Sequence, residues 1–313
     1  MFGAMRRKQE GWLAVGMQAG QVDFAHILRT PGRRPRLTRL ESYACPSDAA
    51  PALDLLRRQK GFAKYRCTTL LEPGSYQMFQ VDALEVPPVE LREAMRWRLK
   101  DMLEYPVDQA TVDVLELPLT QGAGRAPQMM AIAASDAVLA PRIRIFDEAR
   151  LDLQAVDIPE MALRNLAALL EDENRGLAML TLDASGGFLT FTYRGELCAS
   201  RRLEVGTAQF EAADAIRREQ LIERIGLELQ RSLDNFERQY TAISISKIVV
   251  GPCPAVGGLI DALRNFVYAP IVPMDVCSII DCDAVPEIRL PELQAERLTI
   301  IGAALRDEAG VGA

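Results

Sequence analysis

Apolar and polar positions along this chain keep two rhythms, and each change of rhythm marks an element. Trp12 to Leu28, WLAVGMQAGQVDFAHIL, contains two strand-like runs about a turn at Gln18–Gln21, the pattern of a hairpin. After a basic stretch, SDAAPALDLLRRQKG predicts a short helix with Ser47 or Asp48 as N-cap, and Tyr65–Leu71 returns to strand. A helix enters through Pro87 and Pro88 and stops before Pro106, with Leu91, Met95, Leu99 and Met102 as its apolar stripe. Trp97 and Arg96 lie off that stripe.

Two strands, TVDVLEL and QMMAIAA, then flank the Gly- and Pro-rich connection PLTQGAGRAPQ. DAVLAPRIRIFDEARL predicts a helix broken at Pro141, and QAVDIPEMALRNLAALL reads as strand then helix. The charged, aperiodic EDENRG at Glu171–Gly176 suggests a domain boundary. Beyond it come the hairpin LTLDASGGFLTFTYRGE and a third strand in LCASRRLEVG. A long helix follows, with Ile222, Ile225, Leu229, Ser232, Leu233, Phe236 and Tyr240 on one face. The strand SKIVVG, a turn PCPAVGG, a helix from about Leu259 to Val267 and a terminal small-residue helix through RLTIIGAALRDEAG complete the chain. Strand hairpins open each half and helices follow, a repeated α/β plan.

Composition narrows the function. A net charge of −7 excludes a chain-wide attraction to nucleic acid, although Arg29–Arg39, RTPGRRPRLTR, is locally basic and reads as a solvated loop or a contact for an anionic surface. No window approaches the ~18 apolar residues of a membrane span, and the N-terminus lacks a signal-peptide core, so a cytoplasmic location is expected. The 6 cysteines show no C-x-x-C spacing and are expected to be reduced thiols, with no metal site. The single histidine, His26, sits on an apolar run and is read as structural.

One place has the ingredients of phosphate chemistry. Asp183, Ser185, Gly186 and Gly187 form a small-residue turn beside a carboxylate, where backbone N–H groups can approach phosphate oxygens and the carboxylate can hold a Mg²⁺-bound water. The same residues serve equally as an ordinary hairpin turn that Asp183 caps by accepting bonds from its own backbone.

The order of elements resembles the actin-like ATPase superfamily in its pilus-assembly branch, and more narrowly the MshI group of agglutinin (type IV pilus) biogenesis proteins, which is related to PilM. The resemblance rests on PPVELREAMRWRLKDMLEYPVDQATVDVLELP, VDIPEMALRNLA, LTLDASGGFLTFTYRGEL, LELQRSLDNFERQY and TIIGAALR. It implies an actin-like (ribonuclease H-like) α/β fold of two lobes. Residues 1–172 would form the first, with a PilM-like subdomain inserted at about 73–155, and residues 173–313 the second. It also implies a nucleotide site at Gly16, Gly20, Asp183, Ser185, Gly186, Gly187 and Gly251, and here that site departs from the family. The first hairpin, AVGMQAGQV, keeps Gly16 and Gly20 as turn formers but lacks the expected Asp, and Asp23 comes too late, on the outgoing strand. After KIVVG, the turn Gly251-Pro252-Cys253-Pro254 replaces a Gly-Gly and removes backbone donors.

Losing the Mg²⁺-organising carboxylate harms hydrolysis more than binding. The expected role is therefore a cytoplasmic scaffold at the inner membrane without a resident cofactor. It would dock the cytoplasmic N-terminal segment of a PilN-like membrane protein through a groove that involves the inserted subdomain, with other pilus components as further partners. The alternative implied by the same resemblance is an actin-like switch or weak ATPase using ATP with magnesium.

Overall fold

The computed structural model describes residues 10–18, 20–45, 50–58, 62–118 and 127–307. The expected caps Ser47 and Asp48, and most of the PLTQGAGRAPQ connection, lie outside these residues. The described residues gather into two compact units, one of 10–24, 41–118 and 127–159 and one of 25–40 and 160–307.

Three strands open the chain: β1 (Trp12–Gln18), β2 (Gly20–Leu28) and β3 (Arg36–Cys45). Helix α1 (Ala50–Arg58) leads to β4 (Arg66–Leu70), and then a second sheet begins. That sheet consists of β5 (Tyr76–Asp82), β6 (Ala110–Glu116) and β7 (Gln128–Ser135) in the order β5-β7-β6, with helix α2 (Pro88–Arg98) between β5 and β6 in sequence. Met95 and Leu99 bury against Val81, Val112 and Ala131, giving this subdomain its own core. Met102 departs from the expected stripe: α2 ends at Arg98, and the methionine is 47% exposed in the turn beyond.

Helix α3 (Asp136–Glu148) returns the chain to the first sheet, where β8 (Asp152–Asp157) closes the order β3-β2-β1-β4-β8. The separate three-stranded sheet thus closes at Ser135 rather than near 155, because α3 buries Phe146 with Leu13, Phe24 and Leu53 in the core of the first sheet. Pro141 does not break α3. It removes one backbone donor, and the turns on either side keep the helix continuous.

Helix α4 (Pro159–Ala167) belongs with the second unit, ahead of the expected boundary at 172. That unit's sheet is β9 (Gly176–Leu182), β10 (Gly187–Tyr193), β11 (Glu196–Leu203), β12 (Ile245–Val250) and β13 (Ile271–Pro273), ordered β11-β10-β9-β12-β13. The antiparallel β11-β10-β9 hairpins meet the parallel β9-β12-β13 strands at β9, whose every residue is buried, as a strand covered on both faces must be.

Around this sheet run α5 (Thr207–Glu211), α6 (Ala215–Gln239), α7 (Leu259–Leu263), α8 (Val276–Ile279) and α9 (Pro291–Ala304). Asp214 caps α6 by accepting from Arg217 N at 2.8 Å, and Leu221, Ile225, Leu229, Leu233 and Phe236 bury one stripe of it. Helix α9 is buried over most of its circumference and packs on α4: Asn165 Nδ2 donates to Gly302 O at 3.0 Å, and a Cβ on Gly302 would lie 2.3 Å from Ala162 O.

Candidate functional site

The turn between β9 and β10 holds the phosphate-like constellation, and its atoms are engaged with one another. Asp183 Oδ1 accepts from Ser185 N at 2.7 Å, Ser185 Oγ at 2.7 Å and Gly186 N at 2.8 Å. Asp183 Oδ2 pairs with Arg202 at 3.2 Å, and the same guanidinium donates to Ser185 Oγ at 3.1 Å while lying 4.5 Å from the Phe188 ring centroid. Burial pushes the Asp183 carboxyl up, but the Ser185 hydroxyl, the Arg202 charge and the Ser185 amide outweigh it and hold it below the usual carboxylate range.

A phosphate would need donors that this carboxylate already uses. Gly186 and Gly187 have no side chains for an internal reason as well: a Cβ on the first would lie 2.5 Å from Leu203 O, and on the second 2.4 Å from Thr181 O. Gly251 N donates to Leu180 O at 2.8 Å, and the turn beyond it runs through Pro252 and Pro254.

Gly16 and Gly20 belong to the first unit. Gly16 is a buried residue inside β1, not a turn former. Gly20 does form the turn, with φ +83° in open space. Asp23 is buried on β2 and accepts from Gln21 Nε2 at 2.8 and 3.0 Å, on the outgoing strand as its position in sequence implied. The backbone arrangement around Asp183, Ser185, Gly186, Gly187 and Gly251 therefore does not fit a Mg²⁺-nucleotide cradle.

Sequence reasoning missed Arg202, which it placed only within a strand, and the available signal was the register. Arg202 stands opposite Phe188 in the β10–β11 ladder. His26 is buried on β2 with Nδ1 against Thr38 Oγ1 on β3, in keeping with its structural reading. Among the described residues no group of His, Cys, Asp or Glu is arranged to hold a metal, and no helix is long and apolar enough to cross a membrane.

A second feature lies on the inserted subdomain. Trp97 is 53% exposed, with its Nε1 donating to Glu93 Oε1 at 2.9 Å and Arg96 bonded to the same oxygen at 2.7 Å. Arg96 and then Trp97 hold the Glu93 carboxyl below its usual range. Val89 on the same helix is 92% exposed. The i, i+4 spacing of Glu93 and Trp97 is the sequence signal for this contact.

No protein-family model matches the chain, and no curated protein sequence does. Among solved structures, the chain is similar over 96% of its length to 98% of a chain in the PilM–PilN type IV pilus biogenesis complex, with a TM-score of 0.74 and 19% identity. The chain shares the fold of that matched chain. A Bacteroides thetaiotaomicron protein described as having an actin-like ATPase fold and unknown function is matched over 93% of this chain and 99% of its own, at 10% identity and a TM-score of 0.49.

The Asp183 geometry predicts a pH signature. Its folded pKa is depressed, so its stabilising contribution is present above the unfolded value of about 3.9 and is lost as pH falls through the folded value. Asp183→Ala strands two backbone donors and is expected to cost about 1–2 kcal/mol at pH 7. Urea denaturation at pH 7 and pH 3 should show the gap from the native protein narrowing in acid. An equal gap at both values would mean that the carboxylate charge does not hold the turn.

Proposed function

We propose that this chain is a docking scaffold of a type IV pilus assembly machine, of the MshI agglutinin type, at the inner face of the bacterial inner membrane. It holds the cytoplasmic N-terminal segment of a PilN-like membrane protein, reaches the membrane through that partner, and does not hydrolyse ATP. The observation that carries the reading is the likeness along nearly the whole chain to a structure whose described complex joins PilM to PilN. The self-engaged Asp183 turn supports the absence of catalysis, since the donors for phosphate are already used.

A peptide that docks on the inserted subdomain gains most of its affinity from a few desolvated anchors, and an indole fixed in one orientation is well suited to be one. Trp97 meets this description because Glu93 holds its ring at the surface.

The test is anisotropy of a labelled peptide carrying the cytoplasmic N-terminal segment of a PilN-like protein, titrated with the full chain. Saturable binding is expected, weakened about tenfold by Trp97→Ala. In parallel, calorimetry with Mg-ATP on nucleotide-free protein should give no heat up to millimolar concentration. Absence of peptide binding, or micromolar ATP binding that Asp183→Ala abolishes, would replace the scaffold with a nucleotide switch.

A further inference from the structure

The second unit has two arginine-lined cavities that differ in charge balance. In the smaller, of about 180 Å³, every arginine has an acid: Arg201 pairs with Glu228, Arg202 with Asp183 and Arg224 with Glu204. The larger, of about 560 Å³, is lined by Arg33, Arg34, Arg36 and Arg289 together with Asp281 and Asp283. There Arg289 pairs with Asp283 at 3.0 Å, and Asp281 Oδ1 accepts from Asp283 N at 3.0 Å. Arg33, Arg34 and Arg36 have no ionic or hydrogen-bonding side-chain partner among the described residues. The lining therefore carries 4 arginines against 2 aspartates, a local +2 in a chain of net charge −7.

The cavity also has a fixed frame. Leu37 N donates to Asp281 O at 2.9 Å and Asp281 N to Pro35 O at 2.8 Å, so the chain that carries Arg33 and Arg34 in the β2–β3 connection and Arg36 at the start of β3 is tied to the 281–283 segment. Its volume lies within the roughly 300–1,000 Å³ of small-molecule sites, larger than one monovalent ion requires. Three guanidinia without internal acids lining one cavity match an anion that accepts hydrogen bonds from several sides, which a phosphoryl group does and a single planar carboxylate does not.

We infer that this cavity is a binding site for a phosphate-bearing anion, with Arg33, Arg34 and Arg36 as its ligands and Arg289 at its edge. A phospholipid headgroup and a soluble polyphosphorylated compound share this chemistry.

The experiment uses the full chain and two probes: inorganic pyrophosphate, followed by calorimetry at low salt, and sedimentation with phosphatidylglycerol or phosphatidylcholine vesicles. Arg33→Ser with Arg34→Ser is the test variant, and Arg289→Ser a second one should the first have an altered urea midpoint. Pyrophosphate binding weakened at least tenfold in the variant supports a soluble ligand. Co-sedimentation with phosphatidylglycerol alone, lost in the variant and displaced by pyrophosphate, supports a headgroup. Either signal should fade as salt approaches about 0.5 M, because the arginines are exposed and screened. Occupancy should also slow alkylation of Cys277, which lines the same cavity, as read by mass spectrometry. The inference is overturned if neither probe binds below millimolar concentration, if both variants bind as the native protein does, or if polyglutamate competes as well as pyrophosphate.

Discussion

Valine at position 302 is expected to destabilise the second unit by about 2–4 kcal/mol, and even alanine there should destabilise. The usual sign is the opposite, since alanine is preferred to glycine inside a helix by about 1 kcal/mol. In α9, however, a Cβ would stand 2.3 Å from Ala162 O and 2.8 Å from its carbonyl carbon, and these backbone atoms of α4 have no rotamer by which to retreat. The helices must part. The Asn165 bond to Gly302 O would lengthen with them, adding a buried polar loss of about 1 kcal/mol to the overpacking cost. Urea unfolding of Gly302→Ala and Gly302→Val measures this directly. An alanine variant more stable than the native protein would show that α4 and α9 do not approach so closely.

Phe236→Ala is expected to cost about 3–5 kcal/mol. Its ring stacks on Phe191 from β10 at 4.7 Å and on Tyr240 at 4.8 Å, joining α6 to the sheet. Tyr240 in turn donates its hydroxyl to Cys198 O at 2.9 Å, so the void opens beside a buried hydrogen bond that depends on that packing. Phe236→Leu, which fills most of the space, should cost clearly less. Equal losses for leucine and alanine in the same urea experiment would point to lost ring stacking rather than to the cavity.

Legibility in the sequence followed the distance between interacting residues. The apolar stripe of α6 repeats every three or four residues, so the positions from Ile225 to Tyr240 declared themselves, while Leu221 was passed over for its half-buried neighbour Ile222. The two hairpins and two of the three strands of the smaller sheet, β6 and β7, were visible for the same local reason, whereas β5 was not. The end of that sheet was not, because Phe146 shows its allegiance only by packing with residues such as Leu13 and Phe24, far back in the chain. At the candidate site, the small residues and the carboxylate could be named, but their state could not. Asp183 is neutralised by a partner 19 residues away that only strand pairing brings near. Gly16 likewise looked like a turn residue until β1 was seen to run through it.

The Arg202 contact also bears on how the second sheet folds. Arg202 stands opposite Phe188, and a shift of that pairing that places Leu203 there would turn the arginine to the other face. Asp183 would keep its charge without its counterion, and the Phe188 ring would lose the guanidinium above it. One side chain thus penalises slippage of β11 against β10 in that direction, as a tooth does in a ratchet. The turn that resembles a ligand cradle is thus tied, through Arg202, to the alignment of β10 with β11.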